Sequence, residues 1–174
     1  MAHFAKIGLN NKVIHVVHVP DDEITDDNNV QQEQIGKDLL EQRHGWPLWV
    51  QCSINTSGNQ HYTYNDDGTR VLSETQERAF RGNFPAIGDI WDETNNYFYK
   101  PKPTEYPSFV WDSERLYFKT PIDWPAKSSY MDNSPNKFLD VDWSETDTTF
   151  KGLAVDGTDE VYLWDASTST WNLQ

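Results

Sequence analysis

The 174-residue chain carries 28 acidic against 14 basic residues, a formal net charge of -14, and this surplus argues against affinity for phosphate backbones or anionic membranes. Mean hydropathy is low at -0.79, yet 14% of the residues are aromatic. Buried aromatics cover about 150 to 250 Å² each, so eight Trp, eight Tyr and eight Phe supply a core and exclude an acidic disordered tail.

In chain order, the first twenty residues alternate as paired strands do: Phe4 to Ile7, then Val13 to Val19 ended by Pro20, an opening hairpin. Ile35 and Leu39 four apart, with Gly45 closing, predict a helix from Gln31 to Arg43 despite Gly36 in its middle. Trp46 to Ile54 is rich in aromatic and β-branched residues and reads as a central strand beside that hairpin. His61 to Tyr64 followed by Asn65-Asp66-Asp67-Gly68 predicts a strand and a tight turn. Ser73 with Gln76 three residues on forms a capping-box pattern for a short helix from Glu74 to Arg81, with Gly82 ending it.

From there the pattern changes. Trp91 and Phe98, Trp111 and Phe118, Trp143 and Phe150, and Trp164 and Trp171 are each seven residues apart, with turn formers between them. A midway chain reversal brings such residues opposite each other, so the spacing predicts a ladder of β-hairpins with cross-strand aromatic pairs. Proline-rich spacers, Lys100 to Pro107 and Thr120 to Pro125, separate the copies and favour extended backbone. The tryptophan offsets are 20, 32 and 21 residues, which places an insertion in the third interval, centred on Ser128 to Asn136. The expectation is an α+β, mainly β protein: an α+β N-terminal domain over 1–88 with an antiparallel sheet and one docked helix, then a meander of aromatic-paired hairpins over 89–174.

Three copies contain Trp-Asp, but propeller blades take about 40 to 45 residues and a Gly-His element, which this spacing lacks. The aspartates are better read as turn starters that accept bonds from amides two residues on. The Trp91 and Trp111 spacing also invites a proline-binding module, although the longer series explains more residues. Histidines 3, 15, 18, 44 and 61 are dispersed, and His15 and His18, three apart on one strand, point to opposite faces. No metal site or cofactor is therefore expected. Cys52 is the only cysteine, which excludes an intrachain disulfide. With His61 it makes a conceivable nucleophile and base, but its flanks carry no catalytic signature, and a half-buried strand cysteine is the simpler reading. Asp66-Asp67 and Asp156, Asp159 and Glu160 lack the spacing of a calcium loop. No catalytic residue is assigned. Trp46, Trp49 and Trp124 lie outside the repeat and are the candidate binding residues, for a sugar above all.

Several segments, read in order, resemble small virion-associated proteins of tailed bacteriophages, especially those of marine cyanobacteria. The residues are Met1-Ala2-His3-Phe4-Ala5, Trp49-Val50-Gln51 with Ser53-Ile54-Asn55-Thr56, Arg81-Gly82-Asn83-Phe84-Pro85-Ala86-Ile87-Gly88, Trp91-Asp92-Glu93, Lys100-Pro101-Lys102-Pro103, Pro107-Ser108-Phe109 and Tyr162-Leu163-Trp164-Asp165. Phe109 stands where the pattern has a tryptophan. The resemblance implies a non-enzymatic structural component of the particle, at a tail fibre, baseplate or neck position, and no catalytic residues to carry over. A capsid decoration protein and a receptor- or glycan-binding adhesion module are the alternatives. Expected partners are other virion proteins and copies of itself, with a host surface glycan or receptor as a further one, and neither nucleic acid nor membrane insertion. The opening residues hold no apolar run of signal-peptide length, so the expected location is the virion after synthesis in the host cytoplasm.

Overall fold

The computed structural model describes residues 1–130 and 139–174, which form two compact units: 1–101 with 111–118, and 102–110 with 119–174. Each is α+β or β by construction, and the chain as a whole is mainly β with one α-helix.

The first unit is built on a three-stranded antiparallel sheet of β1 (Ala2–Ile7), β2 (Val13–Val19) and β3 (Trp49–Cys52), in the order β2-β1-β3. The stretch expected as the central strand, Trp46 to Ile54, instead supplies an edge strand. The reason is register: β1 pairs with β2 on one side and with β3 on the other, so the middle place goes to Phe4 and Ala5. The period of two along β1 sorts its side chains cleanly onto two faces. Phe4 joins Val19, Ile24, Leu40 and Trp49 on one, while Ala5 and Ile7 join Val13, Val50, Cys52, Trp91 and Phe98 on the other.

The helix α1 (Glu33–His44) covers the Phe4 face and ends at Gly45 in the left-handed conformation. Gly36 at its centre is explained by contact, since a Cβ there would lie 2.2 Å from the Phe4 ring. The small residue lets the aromatic ring approach the helix backbone, and that close packing offsets the helix propensity lost by having no side chain.

Beyond β3 come β4 (Thr56–Ser57), β5 (Gln60–Tyr64) and β6 (Arg70–Leu72) in a small antiparallel sheet, with Gly68 at φ +81 in the turn as its sequence requires. The helix expected from Glu74 to Arg81 does not form; only a short 3-10 turn, Gln76–Arg78, is present. Gln76 explains the failure. Its amide oxygen accepts from the His61 N–H at 3.0 Å and its NH2 donates to the carbonyls of His61 at 3.1 Å and Ser73 at 2.6 Å, while the Ser73 N–H donates to the His61 carbonyl at 3.0 Å, so the reciprocal bond of a capping box is not made.

The second face of the sheet is closed by β7 (Ile90–Asp92) and β8 (Tyr97–Tyr99), the first aromatic hairpin. Backbone bonds tie its entry to β2, from the Val13 N–H to the Asp89 carbonyl and from the Gly88 N–H to the Val13 carbonyl, both 2.8 Å. These bonds, with Trp91 and Phe98 in the core, keep the hairpin in the first unit, so the units do not part near residue 88. The hairpin of β9 (Val110–Asp112) and β10 (Tyr117–Lys119) follows, and its Trp111 packs on Tyr97 and Tyr99.

The second unit holds a four-stranded antiparallel meander, β11 (Leu139–Ser144), β12 (Thr149–Ala154), β13 (Val161–Asp165) and β14 (Thr170–Leu173), in chain order. Trp143, Phe150 and Trp164 form its buried centre, with Tyr106, Phe109, Ile122 and Trp171 packed around them. The insertion expected around Ser128 to Asn136 lies largely outside the described residues.

All four aromatic pairs form. Trp91 faces Phe98, Trp143 faces Phe150 and Trp164 faces Trp171 in register. Ring centroids in the four pairs are 4.7, 5.1, 5.2 and 5.2 Å apart, in tilted or edge-on arrangements. The turns share a backbone device too. The fifth residue after each tryptophan is left-handed: Asn96 at φ 59, Leu116 at 57, Thr148 at 51 and Ser169 at 54. Next to each tryptophan, Asp92, Asp112, Ser144 or Asp165 accepts bonds from turn amides at 2.9 to 3.4 Å. The side chain thus fixes the start of the turn and the left-handed residue closes it, which is what a four-residue loop needs to return the chain in register.

Thr148 is exposed and β-branched at that left-handed position, a strained combination. Thr148→Asn is expected to raise stability by about 0.5–1 kcal/mol, measured as a shift in the denaturant midpoint with an unchanged slope.

Glu33, Arg81 and Gln51 link α1 to β3. The Arg81 guanidinium donates to the Glu33 carboxylate at 2.7 Å and to the Gln51 carbonyl at 2.5 Å, while Glu33 accepts from the Gln51 N–H at 3.2 Å and pairs with Lys37 at 2.9 Å. Burial opposes ionisation of Glu33, but the bonds from Arg81 and Lys37 outweigh it and hold the carboxyl below its ordinary value. A depressed folded-state value gives stability that is present above the unfolded value and lost as pH falls through the folded one. Glu33→Gln should therefore cost about 1.5–3 kcal/mol at neutral pH. In denaturation series, its deficit relative to the parent should shrink as pH drops below 4.5, the ordinary value.

Candidate functional site

Two concave regions, one in each unit, contain Cys52 with His61 and Trp124 respectively. In the first unit a cavity of about 610 Å³ is lined by Cys52 and His61 together with His3, Gln51, Asn55 and Arg78. Here the conceivable nucleophile and base do share one cavity. Burial pushes the Cys52 thiol up to about 12, against a smaller opposing pull from Arg81, so at neutral pH it is a packed thiol and not a thiolate. His61 is itself 5% exposed, clamped through its backbone by Gln76, and its Nδ1 has no hydrogen-bond partner among the described residues. Burial, then the charge of His18, lowers the pKa of His3, which packs edge-on against Phe84 at 5.3 Å.

The three candidate tryptophans divide between the units. Trp49 is 1% exposed and packs with Phe4 and Leu40, so it is a core residue with no face left for a ligand. The signal for this lay in its strand: Trp49 alternates with Val50 and faces the helix. Trp46 is half-buried; its indole N–H donates to the Ile7 carbonyl at 2.8 Å, and the Lys6 ammonium sits 4.8 Å from its ring. It also accepts the Trp49 indole N–H at its backbone carbonyl, so Trp46 and Trp49 together close the end of the sheet.

Trp124 differs. It is 56% exposed and lies in the second unit, where it lines a cleft of about 460 Å³ with Lys119, Ile122, Asp123, Trp164 and Ser169. The spacer carrying it is packed and not loosely extended: Thr120 and Pro125 are buried, and the Thr120 hydroxyl donates to the Ile122 carbonyl at 2.8 Å. One side of the indole rests on Phe150, with centroids 4.5 Å apart. The arrangement presents a flat aromatic surface on a rigid support beside a carboxylate and a hydroxyl. Such a surface can accept a ring or another flat apolar group, with polar groups at its margin to orient it.

Three of the carboxylates considered for calcium are engaged in local hydrogen bonds. Asp67 accepts from the Thr69 N–H at 2.8 Å, Asp156 from the Thr158 N–H at 3.0 Å, and Glu160 from the Tyr162 hydroxyl at 2.6 Å. Among the described residues no group of three or more His, Cys, Asp or Glu side chains is placed to hold a metal ion. None of the described helices is long and apolar enough to cross a membrane.

Arg81, Gly82 and Asn83 were not singled out for chemistry in the sequence, yet they organise the first unit. Asn83 accepts from the Gly58 N–H at 2.7 Å and donates to the carbonyls of Phe98 and Leu116 at 2.8 and 3.2 Å, tying two aromatic hairpins to one loop. Gly82, at φ +72, lies where a Cβ would come 2.4 Å from Leu116. The only hint was the density of special residues in Arg-Gly-Asn-Phe-Pro.

Comparison with protein-family models, with curated proteins and with solved structures found no match.

Native Cys52 should react with iodoacetamide at pH 8 at least about 100-fold more slowly than the same thiol in the denatured chain, by mass-spectrometric labelling time courses.

Proposed function

We propose that this chain is a non-enzymatic structural component of a bacteriophage virion, at a tail-associated position in a fibre, baseplate or neck. The sequence resemblance to small virion proteins is one support. The observation that carries the reading is the open sheet of the second unit. Its outer strands β11 and β14 pair with no further strand among the described residues, and Leu153, Val155 and Leu173 stand exposed on or beside it. An open edge with apolar side chains offers both backbone groups and contact area to another chain.

The aromatic pairs add the other requirement of a particle protein. They spend ring surface inside the chain on rigidity, each pair contributing about 0.5–1.5 kcal/mol beyond the area it buries. Such hairpins keep their shape while neighbouring subunits, or further copies of the chain, bind along the edges. The net charge of -14 keeps copies apart until those edges meet and favours a partner with a basic face.

Mass spectrometry of purified particles should detect the chain at a stoichiometry of several copies per virion, and cross-linking should place it against tail proteins. Its absence from particles would overturn the proposal. Cross-links confined to the major capsid protein would instead identify a capsid decoration protein.

A further inference from the structure

We propose that the cleft at Trp124 is a binding subsite for a neutral pyranose sugar of a surface polysaccharide. The inference goes beyond a role in assembly, and it stands whether or not the chain is found in particles.

Of the three indoles outside the aromatic ladder, Trp124 is the exposed one. Thr120 and Pro125 of its spacer are buried, and Phe150 supports its inner side at 4.5 Å. Its outer surface is open, at 56% exposure, and its N–H has no partner among the described residues. Holding a ring that large in solvent forgoes burial that its neighbours obtain. The C–H bonds on one face of a pyranose carry partial positive charge and suit the negative face of an indole. Because the platform is already fixed, little side-chain freedom is lost when a sugar settles on it.

The margin of the cleft supplies the polar half of sugar recognition. Asp123 is exposed and makes no hydrogen bond or ion pair among the described residues. Its carboxylate can accept from two adjacent hydroxyls at once, a charge-assisted arrangement stronger than neutral bonds. Ser169, in the left-handed turn position of the last hairpin, and Lys119 also line the cleft. A volume of about 460 Å³ falls within the range of small-molecule sites and has room for more than one water-displacing ring.

Charge selects among sugars. Asp123 and Lys119 both line the cleft, so the selection comes from the chain's net charge of -14, which disfavours uronates and sialylated glycans and leaves neutral hexoses as the class that fits. A proline-rich peptide could also stack on an indole, but an exposed carboxylate reads vicinal hydroxyls better than a ring without donors.

The test is titration of the full chain, by calorimetry and saturation-transfer NMR, with linear hexasaccharides of glucose, mannose and galactose. An alginate hexasaccharide and a polyproline peptide serve as comparisons. The expected result is a dissociation constant on the order of 1 mM or tighter for at least one neutral sugar, with no binding of alginate. Trp124→Ala should weaken it by about tenfold or more, and Asp123→Asn by about fivefold. Asp123 has no hydrogen-bond or ion-pair partner among the described residues, so its variant keeps the test decisive even where loss of Trp124 unsettles Phe150. Failure of every neutral sugar to bind, unchanged affinity in the Asp123→Asn variant, or preference for alginate or the peptide would each overturn the proposal.

Discussion

The contact of Arg81 with Glu33 and the Gln51 carbonyl is the interaction on which the first unit depends. One guanidinium reaches the helix, the edge strand and, through the Asn96 side chain at 3.3 Å, the turn of the first aromatic hairpin. Its side chain is 12% exposed, so water does not screen these bonds as it does surface pairs. The planar fork of arginine is what makes three directions possible; a lysine would supply one point charge. Arg81 is also left-handed in its backbone, at φ 56, and the strain of that conformation is held by the amide of Phe98, which donates to the Arg81 carbonyl at 3.1 Å. A local backbone cost and a tertiary ion pair are therefore parts of one arrangement.

Around it, the aromatic ladder serves two purposes with one sequence pattern. In the first hairpin Trp91 and Phe98 form the second face of the opening sheet, so the pair is core for strands that lie about 40 to 90 residues earlier in the chain. In the third and fourth hairpins, Trp143, Phe150 and Trp164 make a core of their own. Glu145 reinforces that core by accepting from the Trp143 indole N–H at 2.9 Å and from the Ser108 hydroxyl at 2.7 Å. Phe109 stacks on Tyr106 at 4.8 Å and packs against the same core. Aromatic faces used in these pairs are not available to ligands, whereas Trp124 keeps an exposed face.

The hairpins, the helix and the turn residues were legible in the sequence because each depends on neighbours within about ten residues. A tryptophan and an aromatic seven positions on, with turn formers between, can meet in only a few ways, and the Asp beside the tryptophan marks the turn start by its own hydrogen bonds. The alternation of β1 likewise foretells two faces. What went astray depended on distant atoms. The short helix after Ser73 fails because Gln76 bonds to His61, fifteen residues back, and local capping signals carry no information about that competitor. Gly36 reads as a weakness in a helix until the Phe4 ring is seen against it.

The candidate site divides along the same line. Sequence alone determined that Trp46, Trp49 and Trp124 lie outside the repeat, that four hairpins carry paired rings and that the surface is strongly acidic, since these follow from order, spacing and count. Only the tertiary structure decided that Trp49 is core, that Trp46 caps the sheet under Lys6, and that Trp124 keeps an open face over Phe150. Three tryptophans of equal hydrophobicity differ in role because burial is set by which surfaces come together, and that depends on strand register and on packing between segments far apart in the chain.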